Sequence, residues 1–414
     1  MKLDEAIKWL ETKPKFKVRT DLNKIFHALE LLNNPQNDFK TIHISGTNGK
    51  GSVAHYLASI ISQFESVGLF TSPYVIKFNE RIQINDQQIA DAELLEYILW
   101  AKEFDEEYYQ SYNESFSFFE LLTIIAFKYF SDKKVNYAII EVGIGGLLDA
   151  TNVVNAKLSI ITSIGLDHRP QLGNTLEEIL NQKLGILKPS ATLITAVNGY
   201  EETIDSYAKA KSAKVFYITD NDLKIIQSFP LTFEFENAIY TPSLQGLYQA
   251  KNASLAVKAI KLLFPQITTK IINVGLKKTT NAGRFEIVSR NPFIVLDGAH
   301  NAEAVLELAN SVKTIFKDKN VIVLFTSMAD KPYNEMLKIL NEISQNINLT
   351  VLDYPRALTT FSPEMKGQYK IYFNPIAGFE ELVSKLTIND VLVITGSIFL
   401  VSKISHYLLA ENEL

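Results

Sequence analysis

"HISGTNGKGS" (residues 43–52) is the stretch on which the fold reading turns. The apolar run "KTIHIS" (40–45) leads into it, and "VAHYLASIISQF" (53–64), with apolar residues at helical spacing, leads out. That is strand, glycine turn, helix. The common phosphate-loop pattern is G-x-x-x-x-G-K-[ST]. Gly49 and Lys50 supply its GK, but Ile44 stands where the first glycine belongs. Gly51 takes the hydroxyl position, and Ser52 comes one residue late. Two readings are open locally: a nucleotide site, or a tight strand-to-helix turn with a solvated lysine. The context favours the nucleotide, because a helix N-terminus directs N–H groups and positive dipole at the turn.

Outward from this stretch, apolar strand-like runs alternate with helical patterns. "NYAIIEVG" (136–143), "LSIITSIG" (158–165), "ATLITAV" and "AKVFYIT" read as further strands. "TLEEILNQKLGIL" opens with Thr175 and Glu178 in capping-box spacing, a helix start. "QAKNASLAVKAIKLLF" (249–264) carries an apolar stripe and reads as a core helix. The apolar pattern weakens across 277–292, then alternation restarts at "FIVLDG". The expected fold is α/β: a larger domain with a mainly parallel sheet, then a second, smaller α/β unit. The expected boundaries are 1–280, a linker at 281–290, and 291–414.

Bulk composition narrows the function. The 414 residues are 47% hydrophobic and 21% charged, as expected of a globular protein with real cores. Net charge is −5 with no long basic run, which argues against nucleic acid as a partner. No cysteine is present, so disulfides and thiol nucleophiles are excluded. The N-terminus, with Asp4 and Glu5 and no apolar core, is not a signal peptide. No run approaches the roughly 18 apolar residues of a membrane span. A cytoplasmic protein with no membrane partner is expected.

Rival nucleotide readings can be tested on the spelling. "GIGGLLDA" (143–150) fails the G-x-G-x-x-G dinucleotide fingerprint, because the last position is Leu148. No N-K-x-D guanine-reading motif is found.

Several polar residues stand at strand ends, where open α/β sheets bind ligands. Glu141 ends a buried strand beside the glycine loop, a natural place for a Mg²⁺ ligand; the alternative is a carboxylate satisfied by backbone N–H groups. Asp167 and His168 end another strand; Lys183 follows on a helix and by itself reads as surface charge. "TSPYVIKFNERI" (71–82) offers Ser72, Asn79, Glu80 and Arg81 for a substrate or metal loop. "VLDGAHN" (295–301) puts Asp297 and His300 at a strand end of the second domain. Charged strand ends in both domains suggest a site lying between them.

Taken in order, the chain resembles the folylpolyglutamate synthases and dihydrofolate synthases of the Mur ligase superfamily. The resemblance runs through "HISGTNGKGS", "TSPYVIKFNERIQIN", "SFSFFELLTIIAF", "EVGIGGLLDATNVV", "ITSIGLDHRPQLGNTLEEI", "KLGILKP", "GLYQAKNASLA", "GRFE", "LDGAHN" and "ITGSIFLVSKI". It implies an α/β fold with a larger P-loop ATPase domain, its sheet mainly parallel, followed by a smaller Rossmann-like α/β C-terminal domain, which agrees with the alternation above. It implies that Gly46, Thr47, Asn48, Gly49, Lys50, Gly51 and Ser52 hold the ATP phosphates. It implies two Mg²⁺ ions on Ser72, Glu141 and His168, and a CO₂-derived carbamate on Lys183 that supports the second. Asn252, Arg284 and Asp297 would meet ATP from the far side of the domain cleft, with His300 close to the reaction centre. Lys50, Lys183 and His300 are the implied catalytic residues. Two positions depart from many relatives: Gln182 replaces an acid, and Leu147 replaces an arginine, which leaves dihydropteroate use open.

The activity so implied is ATP-dependent addition of L-glutamate to the γ-carboxylate of a folate, through an acyl phosphate, with dihydropteroate left open as a second acid. Such an intermediate needs protection from water, so closure of the domains is expected. The partners are then tetrahydrofolate or a derivative, L-glutamate and ATP, acting on a monomer. The rival within the superfamily is a cell-wall amino-acid ligase, against which "NERIQIN" and "LDGAHN" argue. The chain is also expected to lack the uridine-binding N-terminal domain of those ligases. The rival outside it is a P-loop ATPase that is no ligase.

Overall fold

The structure is a computed structural model that describes residues 1–15 and 20–412. Its first sheet grows from "KTIHIS", which forms β1 (Lys40–Ser45) with every residue after Lys40 buried. A strand covered on both faces needs a continuous apolar run, and this one has it. The other strands of that sheet are β2 (Val67–Phe70), β3 (Ile82–Ile84), β4 (Gln87–Gln88), β5 (Tyr137–Glu141), β6 (Leu158–Ile161), β7 (Thr192–Thr195) and β8 (Lys214–Tyr217). They lie in the order β4-β3-β2-β5-β1-β6-β7-β8. From β2 to β8 every pairing is parallel, and only the β2–β3–β4 margin is antiparallel.

This order places the functional segments. β1 sits between β5 and β6, though both come later in the chain, so the connections diverge at β1. Divergent connections open a crevice at the carboxyl ends of the strands. The segments leaving β2, β5, β1 and β6 therefore share one edge of the sheet. The helix Lys50–Ile61 follows β1 directly and buries nine residues, among them Val53, Leu57 and Ile60.

Helices complete the core. Leu3–Thr12, Asn23–Leu31, Asp91–Tyr112 and Phe118–Asp132 supply much of a cluster that includes Leu10, Leu29, Ile98, Phe127 and Phe130. Phe118–Asp132 starts with a reciprocal cap: the Glu120 carboxylate accepts from the Ser117 amide at 2.7 Å, and the Ser117 hydroxyl accepts from the Glu120 amide at 3.4 Å. The expected capping box at Thr175 is present, with Thr175 Oγ1 accepting from the Glu178 amide at 3.2 Å. It starts the helix Leu176–Leu184.

The chain divides into two compact units: residues 1–222 with 252–278, and 223–251 with 279–414. The second contains a three-stranded antiparallel sheet of β9 (Leu223–Gln227), β10 (Thr232–Phe235) and β11 (Ala238–Tyr240), in the order β11-β10-β9. It also contains β12 (Glu286–Arg290), β13 (Phe293–Leu296), β14 (Asn320–Phe325), β15 (Asn346–Thr350), β16 (Lys370–Tyr372) and β17 (Asp390–Thr395), in the order β12-β13-β17-β14-β15-β16. All pairings in that sheet are parallel except β12 with β13. Two features depart from the expected boundaries. Residues 223–251 belong to the second unit, and the expected linker 281–290 contains β12. An edge strand that is only half-buried carries the polar pattern of a linker, which is why the two read alike in sequence.

Among the described residues no helix is long and apolar enough to cross a membrane.

Candidate functional site

The glycine turn after β1 is tied down from the neighbouring strand end. The Thr47 amide donates to the Ser163 carbonyl at 3.0 Å, and the Asn48 amide to Ser163 Oγ at 2.9 Å. The Thr162 and Ser163 hydroxyls both donate to the Asn48 carbonyl, at 2.5 and 3.0 Å. Gly49 has φ +86°, a conformation L side chains rarely adopt, and a Cβ there would stand 2.5 Å from Asn252 Oδ1. At Gly46 a Cβ would stand 1.9 Å from Thr162 Oγ1. The turn thus requires both glycines for space and for their backbone, Gly46 standing at φ +154°. The Lys50 ammonium folds back onto the loop, donating to the carbonyls of Gly46 at 2.9 Å and Thr47 at 3.2 Å.

Glu141, at the end of β5, is 3% exposed. Its Oε2 accepts the Ser72 amide at 3.0 Å, joining the segments that leave β5 and β2. The loop carrying Ser72 closes on itself where the Thr71 amide donates to the Arg81 carbonyl at 3.0 Å. The Arg81 side chain lies over the rings of Tyr74, Phe78 and Phe118, its charged carbon 5.1, 5.3 and 5.5 Å from their centroids. Burial brings its pKa down to about 10, with Tyr74, Glu11, Glu141 and Glu80 opposing.

Lys183, on the helix Leu176–Leu184, is 2% exposed. Burial first, and the Lys50 charge second, hold its pKa down to about 7, with Asp167 opposing. The backbone fixes it there: the Leu147 amide donates to the Gln182 carbonyl at 2.7 Å, and Asn152 Nδ2 reaches the carbonyls of Leu147 and Gly185 at 3.0 and 3.1 Å. His168 adopts φ +52°, with its amide on Asp167 Oδ1 at 2.8 Å. Its side chain is 38% exposed.

His43, from the opening stretch, is a buried structural group. Its Nε2 pairs with Thr151 Oγ1 at 2.8 Å, and Thr151 in turn donates to Asp149 at 2.6 Å. Burial and Lys188 hold its pKa near about 3, so the ring stays neutral at working pH.

In the second unit, Asp297 directly follows β13 and its carboxylate is engaged from three sides. Tyr248 Oη donates at 2.7 Å, the Phe285 amide at 2.9 Å and the Ala299 amide at 2.8 Å. Burial raises its pKa, and the Tyr248 bond and the Arg284 charge oppose the rise. Phe285 has φ +48°, an unusual conformation for a bulky residue, held by that bond to Asp297. His300 Nδ1 lies 2.8 Å from the Gly298 carbonyl. A carbonyl only accepts, so the neutral ring carries its proton on Nδ1 and its lone pair on Nε2.

Residues 44–260 match the Mur ligase middle domain, and residues 283–398 match the Mur ligase, glutamate ligase domain. The chain is 34% identical over 421 residues to the dihydrofolate synthase/folylpolyglutamate synthase of Bacillus subtilis, which covers 97% of both chains. The chain belongs to the folylpolyglutamate synthase family of the Mur ligases. A second family member, the folylpolyglutamate synthase of Lacticaseibacillus casei, is 31% identical over 99% of both chains. The apo form of L. casei FPGS aligns with TM-score 0.86 at 28% identity, over 99% of this chain and all of that one. An FPGS–AMPPCP–folate complex aligns with TM-score 0.85 at 29% identity and the same coverage.

Within this family member, the loop residues 46–52 stand together with Asn252, and Ser72 stands with Glu141. Asn252, expected from the far side of a cleft, belongs to the loop's own unit, because the helix Tyr248–Leu263 divides between the units at 251/252. Arg284, Asp297 and His300 lie in the other unit. Among the described residues no three His, Cys, Asp or Glu side chains gather as a metal set. The expected set contains only Glu141 and His168 of those types. Its oxygen donors suit Mg²⁺, which binds through one or two carboxylates plus substrate phosphates; the exposed imidazole of His168 is its least typical member. Sequence reasoning did not single out Asp149, Thr151 or Tyr248. Their spacing carried a signal only for Asp149 and Thr151, an Asx-turn pattern; Tyr248 meets Asp297 across 49 residues.

Proposed function

We propose that the chain is an ATP-dependent ligase joining L-glutamate to the γ-carboxylate of a folate, and that it also accepts dihydropteroate as the acid. The observation carrying this reading is the phosphate loop at the end of β1 with the buried Glu141 carboxylate at the end of the adjacent β5. The B. subtilis relative bears both activities in its name, which supports the second acid.

A carboxylate resists amine attack because oxide would have to leave. The γ-phosphoryl group of ATP passes to the carboxylate oxygen, giving an acyl phosphate and ADP. The glutamate amine then attacks the acyl carbon and phosphate departs, leaving the amide and releasing a proton. Phosphoryl transfer rests on positioning and charge neutralisation. In this scheme the Lys50 ammonium leaves the carbonyls of Gly46 and Thr47 for the phosphate oxygens. Gly46–Ser52 cradle the phosphates with backbone N–H groups, beside Asn252. In the second unit, Arg284 is assigned to phosphate and Asp297 to holding the Arg284 turn. His300 Nε2 is assigned to receive the proton of the incoming ammonium.

Ser72, Glu141 and His168 are assigned to two Mg²⁺ ions, which when bound neutralise phosphate charge. Lys183 is assigned to carbamylation: its amine adds to CO₂, loses a proton, and becomes a carboxylate-like oxygen donor. A buried lysine whose pKa is near neutrality supports this, because only the uncharged amine reacts.

The test is direct. Purified protein with ATP, Mg²⁺ and L-glutamate is offered tetrahydrofolate, dihydropteroate or a uridine-linked cell-wall precursor, and products are weighed by mass spectrometry. The reading expects one glutamyl addition per phosphate released, with either pteridine acid. Phosphate release that needs neither acid nor amine would leave only an ATPase; addition to the uridine-linked acid alone would make it a cell-wall ligase.

A further inference from the structure

The loop "TSPYVIKFNERI" offers a carboxylate, Glu80, that looks in sequence like a metal or substrate ligand. In the structure that carboxylate is turned inward on its own loop. Oε2 accepts the Val75 amide at 2.8 Å. Oε1 accepts the amides of Ile76 at 2.8 Å and Lys77 at 2.7 Å. Three consecutive amides in a tight loop point the same way and need one acceptor; a charged carboxylate serves all three more strongly than neutral partners. The Glu80 backbone adds two ties, its carbonyl accepting from Thr71 Oγ1 at 3.4 Å and from Gln83 Nε2 at 3.0 Å. Asn79 anchors the same turn from the other side, donating to the Ile89 carbonyl at 2.8 Å and to Asp91 at 2.9 Å.

The segment organised in this way starts at Thr71 and Ser72, and the Ser72 amide is the group that holds Glu141. From this geometry we infer that Glu80 is a positioning residue for the metal-binding pair Ser72 and Glu141, acting through the fold of the 71–81 loop and touching no ligand itself. Loss of its carboxylate would leave three amides without their acceptor and release Ser72 from its place. The inference rests on the assignment of Ser72 and Glu141 to Mg²⁺. It accounts for the acid of "NERI", which the ligase scheme leaves without a task.

Outer partners of metal ligands typically affect metal affinity by about 10- to 100-fold. The experiment titrates Mn²⁺ into the full-length protein with AMPPCP present and reads free Mn²⁺ by electron paramagnetic resonance. No turnover is needed, so the result does not depend on which acid is the substrate. Glu80→Ala is expected to raise the Mn²⁺ concentration for half-saturation about tenfold. Glu80→Gln is nearly isosteric: its oxygen can keep Ile76 and Lys77, but its amide nitrogen turns a donor toward the Val75 amide. It should give a smaller shift in the same direction and keeps the test valid if the alanine variant does not fold. Ser72→Ala added to Glu80→Gln should cost less than the sum of the two single changes, because both act on one element. Wild-type titration that shows no saturable Mn²⁺ with AMPPCP, or that Ser72→Ala and Glu141→Gln leave unaltered, would fault the metal assignment. Where those variants weaken Mn²⁺ but both Glu80 variants bind as wild type, or where Glu80→Gln and Ser72→Ala add fully, Glu80 has no positioning role.

Discussion

Tyr248 donates its hydroxyl to Asp297 at 2.7 Å, joining a helix start to the end of β13 in the second unit. The bond lowers the Asp297 pKa against the effect of burial, so it favours the ionised carboxylate. Tyr248→Phe removes a hydrogen bond to a charged group, and the expected loss of stability is about 1.5–3 kcal/mol. The sign of its pH dependence follows. The bond stabilises the carboxylate more than the acid, so the loss should be largest above the Asp297 pKa and shrink as the pH falls through it. Chemical denaturation of both proteins at pH 8 and pH 4 measures this; an equal loss at both would count against an ionised Asp297.

Lys50→Met should abolish phosphoryl transfer, because it removes the ammonium that donates to the Gly46 and Thr47 carbonyls and is assigned to the phosphate oxygens. Rapid-quench measurement of ADP formation with folate and glutamate present is the check. Full turnover in that variant would remove the loop from the mechanism. The same change should raise the pKa of Lys183, since the Lys50 charge is one of the two influences lowering it.

Lys183 should carry a carbamate over a pH window that an ordinary lysine does not offer. With a pKa of about 7, its amine is about nine-tenths neutral at pH 8, whereas a lysine near 10.4 is below about 1% neutral there. ¹³C-NMR with labelled bicarbonate should show one carbamate signal that fades as the pH falls below about 7 and is missing in Lys183→Ala. Acetate or formate should partly restore the activity of that variant by replacing the lost carboxylate. For the uncarbamylated protein, the folded pKa lies below the unfolded one. Between about pH 7 and pH 10 the unfolded chain binds the extra proton, so stability should rise with pH across that range.

Gly49→Ala should damage both loop and fold. The new Cβ would meet Asn252 Oδ1 at 2.5 Å, and φ +86° is unfavourable for any L side chain. Strain of this kind costs about 1–3 kcal/mol, readable as a lowered melting temperature, with a raised KM for ATP. Asn252→Ala in the same background should recover part of the stability by clearing the overlap, leaving the backbone penalty. Complete recovery would mean that the positive φ carries no cost.

Much of this was legible in the sequence, for a local reason. "KTIHIS", the glycine turn and the following helix are specified by residues next to one another, and the structure forms β1 and Lys50–Ile61 where the pattern puts them. Glu141 was legible as a strand-end carboxylate because strand ends are set by the apolar runs before them. The 223–251 segment and β12 were not, since half-buried edge strands and linkers share a polar composition.

By itself, then, the sequence determined the α/β alternation, the glycine turn between β1 and its helix, and the family, because periodicity and motif spacing are local and ordered along the chain. Only the tertiary structure decided what surrounds each charged group. Lys183 reads as a surface lysine until burial and Lys50 lower its pKa. Glu80 reads as a free ligand until three loop amides occupy it. Asp297 reads as an open strand-end acid until Tyr248 and the Phe285 and Ala299 amides surround it. Charge and hydrogen-bond capacity belong to a residue type, but desolvation and partners are imposed by segments distant in the chain.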